Sequence, residues 1–226
     1  MAKETKKQEE LVNVAEVVSK SEAFLTKNKN AIVGGIVAVV VIIAAVFCYN
    51  NYVKAPKELK ASEALYQAEQ YFRNGEFEQA LNGDDLGAMG FVAVADEFGG
   101  TEAGNLANAY AGMALAQLKK YEEAVKYLND FSADDAMIAP AAMGTLGNCY
   151  AQLGQNEKAA ATLMKAAAMS DSHSLSPIYL LQAGQLYEEL GQNDKAVEAY
   201  KQIKNKYFNS TQAYDIDKYI ERASMK

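Results

Sequence analysis

LGNCYAQLGQNEKA at residues 146–159 and AGQLYEELGQNDKA at residues 183–196 agree at eight of fourteen positions and lie 37 residues apart. Both carry a glycine in second place, then a tyrosine, the run Leu-Gly-Gln-Asn and a closing alanine. A pattern that returns at a fixed period marks one supersecondary unit used repeatedly, each copy burying its apolar face against the next. A third copy, AGMALAQLKKYEEA at 111–124, keeps Gly112, Leu118 and Ala124. A fourth and looser one, QAEQYFRNGEFEQA at 67–80, keeps Tyr71, Gly75, Phe77 and Ala80 but ends 44 residues before Ala124, which predicts an insertion around 82–90.

Each unit reads as two antiparallel helices crossing through small residues. Gly112, Gly147 and Gly184 on the first helix, and Ala124, Ala159 and Ala196 on the second, leave room for close approach. Gly154 and Gly191 supply the helix-ending turn. Tyr150 and Tyr187 fill the space between neighbouring hairpins. Ser176 before Pro177 predicts a helix start with a capping hydroxyl, Pro140 predicts another, and Thr101 after Gly99 and Gly100 caps the helix that follows. A last helix over about 211–224 has Tyr214, Ile216, Tyr219 and Ile220 to cover the final hairpin, with polar residues outside.

Upstream, residues 31–49, AIVGGIVAVVVIIAAVFCY, form nineteen residues without a charge. As a helix they reach roughly 28 Å at about 1.5 Å per residue, close to the roughly 30 Å hydrocarbon thickness of a bilayer, so one transmembrane helix is expected. A cleaved signal has a shorter apolar core and a small-residue cleavage site, whereas thirty residues precede this run and Val46, Phe47 and Cys48 close it. The layout is then a tail at 1–30, a span at 31–49, a linker with Pro56 at 50–60 and a repeat domain at 61–226. In the tail, Leu11, Val14, Val18 and Leu25 stand at helical spacing and predict a short amphipathic helix. Small residues four apart in the span, Ala31 with Gly35 and Gly34 with Ala38, permit close helix contact.

The tail holds six basic and five acidic residues, leaving sixteen basic and twenty-four acidic ones beyond it, or +1 and −8. An acidic domain without a basic stripe carries no electrostatic footprint for nucleic acid. Cys48 and Cys149 make no disulfide framework. Lysines near the span mark the cytoplasmic side, but the flanks tie, Lys20, Lys27 and Lys29 against Lys54, Lys57 and Lys60.

With Leu146, Gly147, Tyr150, Gly154 and Ala159 in their slots, the repeats resemble the tetratricopeptide repeat family, whose period is about 34 residues. The usual aromatic opening of the first helix is absent, since Met143 and Leu180 stand there. The fold class expected is all-α: one transmembrane helix followed by an α-solenoid of tetratricopeptide-type hairpins. The short helix, single span and repeat layout, with the stretch GFVAVADEFGGTEAGNLANAYAGMALAQLKKYEEAV at 90–125, also resembles the single-pass repeat proteins that are ancillary subunits of the bacterial Sec translocon, in their Bacteroidota-like form. That resemblance implies an inner-membrane anchor, a cytoplasmic N-terminus and a periplasmic repeat domain.

No nucleophile with a base, metal-ligand cluster or phosphate loop is apparent, so no enzyme, cofactor, metal or small-molecule substrate is expected. His173, the one histidine, reads as a solvated loop residue, and Cys149 as a small packing residue. Function then falls to the surface. The first helix of each hairpin lines the concave side, which nominates Tyr110 and Met113, Asn148 and Gln152, and Gln182 and Gln185 as a groove. Such amides, with one aromatic and one thioether, suit a peptide of varied sequence. No Lys or Arg occupies these slots, so capture of an acidic C-terminus is not expected. The reading is a non-enzymatic, membrane-anchored interaction module at the export channel, engaging translocon subunits, periplasmic chaperones or emerging chains. A structural scaffold for a cell-envelope machine and a cytosol-facing repeat receptor are the alternatives.

Overall fold

The structure, a computed structural model, describes residues 27–132 and 137–225. The amphipathic helix expected between Leu11 and Leu25 lies outside the described residues. The chain divides into two compact units, one ending at Pro56 and the other beginning at Lys57.

The first unit contains α1 (Lys29–Tyr49), which is apolar along its whole length and buries none of its residues. Val33, Ile36, Ile43 and Phe47 are 51 to 65% exposed. Its length and composition are sufficient to cross a membrane. The stretch 50–60, expected as a linker, is helical instead: a π turn spans Asn50–Lys54 and α2 runs from Ala55 to Arg73. Proline explains the wide turn. In a regular α-helix the Pro56 ring collides with the carbonyl four residues back and offers no N–H; here the Ala55 N–H reaches back five residues to the Asn50 carbonyl, so the widening falls just before the ring.

The second unit is a row of helical hairpins. The first pairs α2 with α3 (Phe77–Asn82) and α4 (Phe91–Phe98). The next are α5 (Glu102–Gln117) with α6 (Tyr121–Asp130), α7 (Ile138–Gln152) with α8 (Asn156–Ser170), and α9 (Ser176–Glu189) with α10 (Asn193–Lys206). The described residues contain no strand, only one isolated bridge between Gly83 and Met89.

Within each hairpin the two helices touch where the sequence placed its small residues. A Cβ added to Gly112 would lie 2.5 Å from Leu128 Cγ, one on Gly147 2.7 Å from Leu163 Cγ, and one on Gly184 2.3 Å from the Tyr200 ring. Ala124, Ala159 and Ala196 are fully buried opposite them. The turn that follows the first helix is the same four times. Gly75, Lys119, Gly154 and Gly191 adopt positive φ of 81°, 60°, 72° and 69°. In each case the next residue's N–H returns to a carbonyl five residues back, as Gln155 does to Tyr150 at 2.9 Å and Gln192 to Tyr187 at 2.8 Å. Lys119 is the one non-glycine at this position.

The expected insertion is a built loop. The helix that begins at Phe77 stops at Asn82 and resumes as α4, and residues 83–90 fold between them. Asp84 organises the loop, its Oδ1 accepting the Leu86 and Ala88 N–H groups at 2.9 Å and its Oδ2 the Tyr71 hydroxyl. The Tyr71 bond, followed by that from the Ala88 N–H, holds the Asp84 carboxyl below the usual carboxylate range. The first hairpin is also fastened to the second, because both Glu58 carboxylate oxygens accept N–H groups at the start of α5, those of Glu102 and Ala103, at 2.8 Å each. Thr101 caps the same helix as expected, accepting from the Gly104 N–H at 2.9 Å.

Two apolar clusters run through the stack, from Ala61 to Cys149 and from Ala160 to Ala223, and Met143 packs against both. The stack ends in a 3-10 turn (Thr211–Ala213) and α11 (Ile216–Ser224), which seats Ile216 and Ala223 in the second cluster with Tyr219 and Ile220 half-buried beside them. Two local expectations fail. Tyr214 is 90% exposed, because the cap helix begins only at Ile216 and leaves the tyrosine in the preceding turn. Ser176 does not cap its own helix: its buried hydroxyl donates to the Ala167 carbonyl at 2.8 Å and accepts the Ser172 N–H at 3.0 Å, tying α9 to the end of α8.

Candidate partner-binding face

The inner helix α5 adjoins α7, and α7 meets α9 at Gly144, where an added Cβ would lie 2.5 Å from the Tyr179 ring, so their outward-turned residues share a face. Charge is nearly missing from these helices. Glu102 is the one charged residue of α5, α7 has none, and α9 carries only Glu188 and Glu189 at its end. In the second, third and fourth hairpins the ionic groups are concentrated on the second helix, as with Glu122, Glu123 and Lys126 on α6.

The six groove residues do not all share one role. Tyr110 stacks on Phe91 with ring centroids 5.3 Å apart and 14° between planes, and meets Phe72 edge-on at 5.5 Å. Met113 is half-buried in the same cluster. Tyr110 thereby joins the first two hairpins. Asn148, Gln152 and Gln185 are exposed, and Gln182 is half-buried with its Oε1 lacking a hydrogen-bond partner among the described residues.

At the last of these, the structure supplies a neighbour that repeat register does not reveal. Gln185 shares a groove of about 480 Å³ with Glu188, Glu189 and Arg222, the arginine arriving from the cap helix α11. Arg222 grips the Glu188 carboxylate with two bonds, Nε to Oε2 at 3.0 Å and Nη2 to Oε1 at 2.6 Å, and lies over the Tyr219 ring at 4.7 Å. The Tyr200 hydroxyl donates to the same carboxylate at 2.8 Å. Burial, then the neighbouring Glu188, pushes the Tyr200 phenol up, and the bond to Glu188 raises Arg222. The cation is therefore already matched, and the adjoining Glu189 makes this end of the row unfavourable to a ligand carboxylate.

Nothing nucleophilic adjoins this face. Cys149 is buried, and burial pushes its thiol up to about 11, so thiolate is scarce near neutral pH. His173 is exposed, as expected, but has a partner: Nδ1 lies 2.8 Å from Asn209 Oδ1, and the ring meets Tyr207 edge-on at 5.5 Å. Among the described residues, no three His, Cys, Asp or Glu side chains are gathered to hold a metal ion.

A stack of hairpins with glycine crossings and a polar inner row defines a helical-repeat protein of the kind that acts as a non-catalytic scaffold for other proteins. The chain belongs to the tetratricopeptide repeat-like domain family, whose pattern matches residues 22–216. It is similar to a crystal structure of nearly identical TPR-like repeats from a Podospora anserina protein described as a kinesin light chain. That match has a TM-score of 0.53 and 17% identity, covering 77% of this chain and 88% of the other, a likeness of fold alone. Among curated protein sequences, none is significantly similar to it.

Proposed function

We propose that this chain is a protein–protein interaction module of the bacterial inner membrane, held by residues 31–49, with a cytoplasmic N-terminus and a periplasmic repeat domain. The domain division follows: a tail at 1–30, the anchor, and repeats from about 61 onward. In this reading the module is ancillary to the Sec translocon and engages periplasmic chaperones or emerging chains through its inner row. One observation carries the binding reading: a face of amides at Asn148, Gln152 and Gln185, on helices almost free of charge, in an otherwise acidic unit. Amide side chains can meet a main chain of any sequence, which suits varied clients. Exposed Val, Ile and Phe along α1 support the anchor, since a soluble chain seldom leaves so much apolar surface uncovered.

Crosslinking in intact cells followed by purification in mild detergent tests the assignment. Recovery of channel subunits or periplasmic chaperones is expected. Enrichment of wall or outer-membrane assembly factors with neither would replace it by the scaffold reading. Digestion of the repeat domain by protease added to unlysed spheroplasts is expected as well; protection until lysis would place the repeats in the cytosol.

A further inference from the structure

Among the described residues no hairpin precedes the one that begins with α2, and its end face is unlike the corresponding faces inside the stack. Aligned on the positive-φ turn, Gln67 and Gln70 of α2 and Asn74 just after it occupy the slots of Leu146 and Cys149 of α7 and Leu153 just after it. In the third hairpin, Leu146 and Cys149 pack in the same cluster as Leu128 of the hairpin before. Polar residues in these slots close a solenoid end to further stacking.

The loop at 83–90 turns this end into more than a cap. Leu86, Gly87 and Ala88 rise beside Gln67, Gln70 and Asn74, and together they bound a groove of about 530 Å³. Leu86 is 94% exposed, although its own N–H is bonded to Asp84 and Asp84 is locked by Tyr71. A loop serving only solubility has no use for a leucine held out from a pinned backbone. Beside it, the side chains of Gln67 and Asn74 are exposed along the same groove. The groove thus offers two surfaces of opposite chemistry, amides that can bond a main chain and a leucine held out to solvent.

A polypeptide main chain with an apolar side chain meets both. Among the described residues no cationic side chain lines the groove, and the Asp84 carboxylate stands in it, which disfavours acidic peptides and anionic lipid headgroups. We propose that this end groove binds a short, neutral or basic segment of a partner protein, its main chain on the Gln67, Gln70 and Asn74 amides and one apolar side chain on Leu86. The inference stands apart from the inner row.

The test pans the full chain in detergent micelles against a displayed library of random short peptides. Retained peptides are titrated against the wild type, Leu86→Ser, Gln70→Leu and a Gln152→Ala/Gln185→Ala double variant. Expected is a class of peptides bearing an apolar residue and no net negative charge, about tenfold or more weaker on L86S, weaker on Q70L and unchanged on the double variant. Because Leu86 touches little, L86S keeps the wild-type circular dichroism and melting midpoint. Retention of no peptide, or only of peptides that bind L86S as tightly as wild type, overturns the proposal; loss confined to the double variant overturns it while supporting the inner row. In phosphatidylglycerol vesicles, quenching of a fluorophore at position 86 by nitroxide-labelled lipid, without peptide retention, gives the leucine to lipid and overturns it too.

Discussion

Lys119 carries a backbone conformation that glycine carries in the other three hairpin turns. Its φ of 60° crowds the Cβ against the chain, and the same turn forms at Gly75, Gly154 and Gly191 without that cost. Lys119→Gly is therefore expected to stabilise the repeat unit by about 1 kcal/mol, read as a higher denaturation midpoint; a fall would mean that the lysine side chain contributes more than its backbone costs. Cys149 allows a second test. Buried, with its thiol pushed up to about 11, it should resist a thiol reagent at pH 8 in a C48S chain and react only when denaturant opens the stack. Rapid labelling without denaturant would show that α7 is not packed as described.

Repeat spacing made the hairpins legible, because glycines and alanines mark where helices cross and left-handed glycines mark where they end. Contacts between residues far apart in sequence were not legible. Nothing near Glu58 announces that its carboxylate caps α5, forty-four residues away. Glu58→Ala should cost about 1–2 kcal/mol, as for a lost charged cap, with Glu58→Gln intermediate; equal stability of all three chains would make the contact incidental. Tyr214 and Ser176 failed for the same reason, since pattern gives a residue's type of environment but not where a helix begins or which carbonyl lies opposite. In the inserted loop, the Asp84 carboxyl is held low by the Tyr71 hydroxyl. A depressed carboxylate pKa contributes stability above the unfolded value, near 4, and that contribution is lost as pH falls through the lower folded value. Stability should thus decline below about pH 4, and Asp84→Asn should flatten the acid slope; an unchanged slope would contradict the assigned cause.

The whole chain combines an uncovered apolar helix with a stack whose charges, from the second hairpin to the fourth, are concentrated on the outer helices. The family and the hairpin architecture were readable from the repeats, and so was an apolar segment of spanning length. The division of the groove was not. Tyr110 is drawn into the first cluster by Phe72 and Phe91, whose proximity follows from a split helix that periodicity cannot foresee, Met113 packs against the same cluster, and Arg222 reaches Gln185 from a cap outside the repeat register. What remains of the proposed binding face is the amide row on α7 and α9. Its most direct test is site-specific photo-crosslinking in intact cells, with the reactive group at Asn148, Gln152 or Gln185 and, for comparison, at exposed Lys165 on the outer helix α8. Adducts with translocon subunits, periplasmic chaperones or exported chains from the three inner positions, and none from position 165, are expected. Equal adducts from both faces, or none from the inner one, would contradict the account.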